Sequence, residues 1–288
     1  MNIKKLETYL WYVDERETIL NKRKAGLPQE QWTNDKILQE RKFCNNRRED
    51  DSGTIWNKEN IRVHWEHPEY FSLAIVSRLI NYPKVMDPVM DAGFVKSDHI
   101  DEYLCKEVIK HNNEHNGLPL SNIAYRNGKD IEKGHMMVDH YVRRIQQARD
   151  LIPEWDRAIA NQDNDEVWSV ITQLPHFKAF IPQQIMIDIA HPPLMEWSNW
   201  KDDITFIGPG STMGLQHIYD TTQNFMNAKD DADWNDKFIE LQGILKSELN
   251  ISLSLHDVQN TLCEYQKYQK NLGKKSPHMR KFNPTMKY

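Results

Sequence analysis

Between Phe43 and Asp51 the chain reads Phe43-Cys44-Asn45-Asn46-Arg47-Arg48-Glu49-Asp50-Asp51, a run of side chains suited to chemistry. An asparagine can read a base edge or orient a partner, and an arginine pairs bidentately with phosphate or carboxylate. An aspartate can hold that arginine in place, or accept a proton once it is desolvated. If the run is helical, Asn45, Arg48 and Asp51 share one face. The same spacing also fits a solvated polar face with an internal Arg–Asp ion pair. Just upstream, Trp32-Thr33-Asn34-Asp35 reads as a helix entry capped by Thr33 or Asn34.

Other stretches carry weaker signals. Gly208-Pro209-Gly210-Ser211 lets backbone approach a ligand closely, with a following helix offering free amides to an anion. It also fits a plain tight turn between helices. No GxxxxGK[ST] occurs in the chain, which argues against a kinase of the common P-loop type. Leu174-Pro175-His176-Phe177-Lys178 sits like a hairpin between helices but lacks the usual glycines, and Gln184 and Asp188 follow it one turn apart. A helix opened by Ser254 or His256-Asp257 carries Cys263, Glu264 and Lys267. Glu264 and Lys267 at i, i+3 read as surface support, and Cys263 as a nucleophile or a small buried hydrophobe. His64-Trp65-Glu66-His67 lacks a third ligand, so no metal site is expected, and no cofactor motif is present.

The elements that would position these groups are helices. Apolar periodicity predicts them over 3–25, 70–80, 84–92, 98–112, 135–150, 154–160, 166–173, 182–190, 232–247 and 255–270. Residues 112–134, rich in Asn, Gly and His, read as a connection in which a strand is possible. Alternating strand patterns are scarce, so the expectation is an all-α, single-domain helical bundle over 1–273, with a basic, flexible tail over 274–288. A net charge of −5 excludes a strongly basic, nonspecific nucleic-acid binder but not a local basic groove. Cys44, Cys105 and Cys263 are scattered, which suits a reducing cytoplasm. The N-terminus lacks a signal-peptide core and no run is long enough to span a membrane, so a cytoplasmic location is expected. Nine tryptophans and eleven tyrosines leave aromatic surface that can stack on a flat ligand.

Several of these motifs occur together in a set order: Trp32-Thr33-x-Asp35, Phe43-Cys44-Asn45-x-x-Arg48-x-x-Asp51, Arg78-Leu79-Ile80-Asn81, Gly208-Pro209-Gly210-Ser211-x-x-Gly214-Leu215 and Leu262-Cys263-Glu264-x-x-Lys267-Tyr268. In this the chain resembles the phage alpha-glutamyl/putrescinyl-thymine pyrophosphorylases, or amino acid:DNA transferases. That family shares its helical module with phage 5-hydroxymethyluracil DNA kinases and is related to helix–hairpin–helix DNA glycosylases. The resemblance implies a glycosylase-like helical fold, and without a P-loop the chain looks like the stand-alone helical module, which favours a transferase over a kinase. It implies an enzyme that replaces the pyrophosphate on 5-(pyrophosphoryloxymethyl)uracil in DNA with an amine, an amino acid or putrescine.

The partners so implied are DNA carrying a modified pyrimidine, a small amine donor and other phage modification enzymes, in a host cytoplasm if the chain is phage-encoded. Asn45, Arg48, Asp51, Asp188 and Cys44 become the catalytic candidates, with Asp51 or Asp188 accepting the amine proton and Cys44 adding at C6 of the ring. Either Arg47 or Arg48 matches the family position. Arg16, Trp32, Asp35, Gly208, Gly210, Ser211 and Lys267 become candidates for holding substrate or DNA, with Trp11, Tyr12 or Trp32 stacking on an extruded base. A glycosylase-like enzyme that removes or glycosylates a modified pyrimidine and a non-catalytic reader of modified DNA are the competing readings.

Overall fold

The computed structural model describes residues 1–80, 83–91, 104, 106–110, 114, 134–175, 177, 179–202, 207–222, 232–274 and 281–282. In chain order its helices are α1 (Ile3–Lys24), α2 (Lys36–Glu40), α3 (Ser52–Asn60), α4 (Tyr70–Ile80), α5 (Pro83–Asp91), α6 (Gly134–Asp150), α7 (Ile152–Asn161), α8 (Asn164–Thr172), α9 (Phe180–Ile189), α10 (Pro209–Tyr219), α11 (Ala232–Leu249) and α12 (Leu255–Asn271). Among the described residues there is no β-strand. The fold is all-α, as the periodicity predicts. Contacts divide the chain into two compact units, Met1–Asp51 with Lys201–Lys287, and Ser52–Trp200, each with its own apolar core.

The first unit is built on α1. Asn2 opens that helix by accepting the Lys5 amide, and Lys22, Arg23 and Lys24 complement the dipole at its end. Its buried face is Tyr9, Tyr12, Val13, Arg16, Ile19 and Leu20, so one arginine sits in an otherwise apolar stripe. The face packs into a core with Phe43, Leu215, Ile218, Phe238, Leu241, Val258, Leu262 and Tyr265. Ser254 caps α12 in a reciprocal capping box with Asp257. Tyr9 and Thr261 share a buried hydrogen bond of 2.7 Å between α1 and α12.

Two expectations for this unit change. Asp35, not Thr33 or Asn34, caps α2: its Oδ1 accepts the Ile37 and Leu38 amides at 2.8 and 2.9 Å. Helix α2 then stops at Glu40, and only a 3-10 turn, Arg48–Asp50, follows. The helical face proposed for Asn45, Arg48 and Asp51 therefore does not form, because side-chain carboxylates take the amides there. Of the tail, Lys274, Lys281 and Phe282 are described. Lys281 bridges to Arg41, the Phe282 amide donates to Glu40 O at 2.7 Å, and the Phe282 ring meets Trp32 edge-on.

In the second unit α4 and nearly all of α9 are buried on every side. Phe71 stacks on Trp155 with centroids 4.6 Å apart, and Trp168 lies 5.2 Å from Trp200. Arg78 on α4 pairs with Asp188 on α9 inside this core. Tyr70 Oη and His191 Nε2 are hydrogen-bonded at 3.2 Å. Leu174 and Phe177 are core residues, so the hairpin-like break is held by apolar packing. Of the helix expected over 98–112, residues 104 and 106–110 are described and helical. Cys105, His176, Lys178 and nearly all of 112–134 lie outside the described residues.

Helix α10 begins at Gly208-Pro209, so the glycine run is a helix start rather than a separate turn. Gly210 and Gly214, one turn apart, let α10 lie close on α12. A Cβ at Gly214 would stand 2.7 Å from Leu262 O, and one at Gly210 2.5 Å from Cys263 Sγ. Gly214→Ala is expected to lower stability by about 1–3 kcal/mol in urea unfolding, because a backbone carbonyl cannot move aside. Gly210→Ala is expected to be largely rescued by Cys263→Ala, whereas Gly214→Ala is not.

Candidate active site

Residues 41–47 of the first unit belong to no helix, so their buried amides and carbonyls need side-chain partners. Three carboxylates take the amides. Glu264 accepts from Cys44 N at 3.3 Å, Asp51 from Asn45 N at 2.8 Å and Asp257 from Arg48 N at 3.0 Å. Donors meet the carbonyls. Arg16 Nη2 reaches Cys44 O at 3.1 Å and Phe43 O at 3.4 Å, and Asn45 Nδ2 reaches Asp50 O at 2.7 Å. Asn46 Nδ2 ties the loop back to Val13 O of α1 at 2.8 Å, and Arg47 pairs with Glu17 at 2.7 Å.

Helix α12 supplies the grip from the other side. Asp257 and Glu264 are seven residues apart and fall two turns apart on one side of it. Asp257 serves both its own capping box and the Arg48 amide. Glu264 is 3% exposed, so its pairing with Lys267 is a buried carboxylate meeting a half-exposed ammonium, not the surface support that i, i+3 spacing suggests. Tyr268 Oη donates to Asp35 Oδ2 at 2.7 Å, which joins α12 to the cap of α2.

Crowding these charges shifts their protonation. Burial, with the neighbouring charge of Glu264, raises Asp51 to about 7 against the lowering effects of the Asn45 amide, Arg48 and Arg16. Burial also raises Asp257 despite its hydrogen bonds from Arg48 and Ser254. For Lys267, burial pulls the ammonium down, but Glu264 and the nearby thiols of Cys44 and Cys263 outweigh it and hold it above its usual range. The Cys44 thiol is pushed well up by burial, Glu264 and Asp51. It is a protonated thiol at neutral pH, a poor nucleophile.

Arg16, Asp35, Cys44, Asn45, Arg48, Asp51 and Lys267 thus all belong to one polar network on α1, the cap of α2, the 41–51 loop and α12. Asp257 and Glu264 join it, and sequence reasoning gave neither a functional part. The available signal was their seven-residue spacing beside the buried Thr261 and Tyr268 stripe of α12. Gly210 and Ser211 stand at the start of α10; Gly210 packs on Cys263, and the Ser211 hydroxyl turns back to Gly208 O at 3.0 Å. Trp32 is buried, its indole N–H donating to Leu27 O at 2.8 Å and its ring facing Arg23 and Phe282, so its faces are spent on packing. Tyr12 is likewise a core residue, and Trp11 is exposed. Asp188 belongs to the second unit and is committed to Arg78 there. Among the described residues no group of three His, Cys, Asp or Glu side chains could hold a metal ion, and no helix is long and apolar enough to cross a membrane.

The raised Asp51 carries a stability signature. A carboxyl whose folded value lies above its unfolded value near 3.8 binds its proton more tightly in the native state. Its contribution is fully present below the unfolded value and is lost as pH rises from about 4 to about 7. Asp51→Asn keeps an acceptor for the Asn45 amide but cannot ionise. Urea unfolding at pH 4 to 8 is expected to show the variant gaining on the parent with a slope approaching about 1.4 kcal/mol per pH unit, then levelling above 7. A constant difference across that range would contradict the assignment.

Comparison with known proteins places the chain in a family. No curated protein and no solved structure matches the chain. A family profile described as the 5-hmdU DNA kinase, helical domain, matches residues 4–277, which include both units and every residue of the network. The chain belongs to the family of the 5-hmdU DNA kinase helical domain.

Proposed function

We propose that this chain is a DNA-modifying transferase of phage type, acting on a 5-hydroxymethyluracil base already activated as its pyrophosphate. It would exchange the pyrophosphate for an amine. In balanced form, a base–CH2–O–pyrophosphate and a neutral amine R–NH2 give base–CH2–NH–R, pyrophosphate and one proton. The C–O bond to the leaving group breaks as the C–N bond forms, and the proton leaves the attacking nitrogen.

The observation that carries this reading is the Asp51 carboxyl, raised to about 7 in a loop that also holds the buried Arg48. A carboxylate titrating near neutrality is matched to accepting the amine proton. Arg48 is the cation with the largest effect on that carboxyl, and a developing pyrophosphate charge needs such a partner. The amides at the start of α10, at Gly210 and Ser211, are a further place where phosphate oxygens can be met. Cys44 drops out as a nucleophile on its protonation, and Asp188 as the base on its pairing with Arg78. DNA would be bound with the base extruded, and the pyrophosphorylated substrate would come from separate phosphoryl-transfer enzymes.

The test is incubation of pyrophosphorylated hydroxymethyluracil DNA with the protein and a set of amines, followed by mass spectrometry of the released nucleosides. A heavier nucleoside with released pyrophosphate is expected, and Arg48→Ala should slow its formation about 10²–10³-fold. Abasic sites would show a glycosylase instead. Unchanged nucleosides with every amine would overturn the transferase reading.

A further inference from the structure

Among the buried side-chain groups of the first unit with no hydrogen-bond partner in the described residues are the Tyr12 hydroxyl, Arg16 Nε and Asn45 Oδ1. Their residues are 1%, 3% and 7% exposed. Such groups are rare in folded proteins, because each leaves its full desolvation cost uncompensated. These three share a neighbourhood. Tyr12 and Arg16 are one turn apart on the inward face of α1. Arg16 holds the carbonyl of Cys44, the residue before Asn45, and the Tyr12 ring meets Phe43 edge-on at 6.2 Å.

What remains unspent on each side chain is chemically defined. Arg16 uses Nη2 on the loop carbonyls, so Nε offers a donor and nothing else. Asn45 uses Nδ2 on Asp50 O at 2.7 Å, so turning its carboxamide over would lose that bond. Its free atom is therefore an acceptor only. The Tyr12 hydroxyl can donate. Together they present two donors and one acceptor.

We infer that these three groups read the imide edge of a pyrimidine-2,4-dione, with Asn45 Oδ1 accepting from N3–H while Arg16 Nε and the Tyr12 hydroxyl donate to the flanking ring carbonyls. This rests on the reading that the chain acts on a uracil-type base in DNA, and adds how uracil is told from cytosine. Cytosine carries a lone pair at N3, which would face the lone pairs of Asn45 Oδ1. Since N3–H is paired in a duplex, only an extruded or unpaired base can present this edge. Tyr12, Arg16 and Asn45 thereby become specificity residues, whereas Asp51 and Arg48 are the groups proposed to take the proton and the pyrophosphate charge.

The test is binding of the full chain to single-stranded oligonucleotides carrying one 5-hydroxymethyl-2′-deoxyuridine, its N3-methyl derivative or 5-hydroxymethyl-2′-deoxycytidine. The uridine oligonucleotide is expected to bind about 10- to 100-fold more tightly than the other two. Tyr12→Phe keeps the ring and loses a hydroxyl with no partner in the fold, so it should fold normally. It is expected to weaken uridine binding about tenfold, to leave cytidine binding unchanged and so to compress the ratio. Equal binding of all three probes, or a ratio unmoved by both Tyr12→Phe and Asn45→Ala, would mean that internal water satisfies these groups, and would overturn the inference. Amine transfer persisting in that case would leave the proposed function standing. Loss of both binding and transfer with the uridine substrate would overturn the two together.

Discussion

Backbone that runs through a protein interior outside any helix or sheet must find its hydrogen bonds elsewhere, and here three carboxylates provide them. Glu264, Asp51 and Asp257 hold the amides of residues 44, 45 and 48. Taking carboxylates out of water is costly unless cations accompany them. Arg16, Arg48 and Lys267 fill that need within the same network. The loop, its acids and its cations are thus one constraint. Replacing one part by an apolar residue leaves another unpaired, which is why the network can persist at positions where an apolar core would be the simpler solution.

That constraint is also non-local. The loop and its arginines come from the first 51 residues, whereas Asp257 and Glu264 come from a helix more than 200 residues later; the Cys44–Glu264 contact spans 220 positions. The intervening chain from Ser52 to Trp200 folds around a separate core. The network can therefore form only once the two ends of the chain have met. The capping box of α12 and the glycine contacts of α10 on α12 give the later segment a rigid surface for the loop to meet. Tyr9 on Thr261 and Tyr268 on Asp35 tie the same helix to the N-terminal elements.

This explains which features were legible in the sequence. Helices α1 and α4, and the Ser254 start of α12, follow from local periodicity and caps, and they lie where those signals place them. The loop residues Asn45, Arg48 and Asp51 stand out by type alone. Their geometry does not, because periodicity assumes a helix that the competing carboxylates displace. Glu264 looks like half of a surface pair, since its burial is set by a loop that a helical wheel cannot include. Gly210 looks like a turn residue, since the close approach that it and Gly214 permit is visible only with Leu262 and Cys263 in place. Asp188 is a plausible base by type, yet its partner Arg78 lies 110 residues earlier.

Within the network the two acids nearest the loop differ in their surroundings. Asp51 and Glu264 accept successive amides, those of Asn45 and Cys44. Glu264 is ion-paired to Lys267, and its negative charge is one of the reasons Asp51 holds its proton up to about 7. Glu264 thus has a cation beside it, whereas burial and that neighbouring negative charge raise Asp51, so the two like groups sit in different surroundings. The same crowding keeps Cys44 protonated. The environment that raises Asp51 is also the one that keeps the thiol beside it protonated, so a single arrangement of charge acts on both groups.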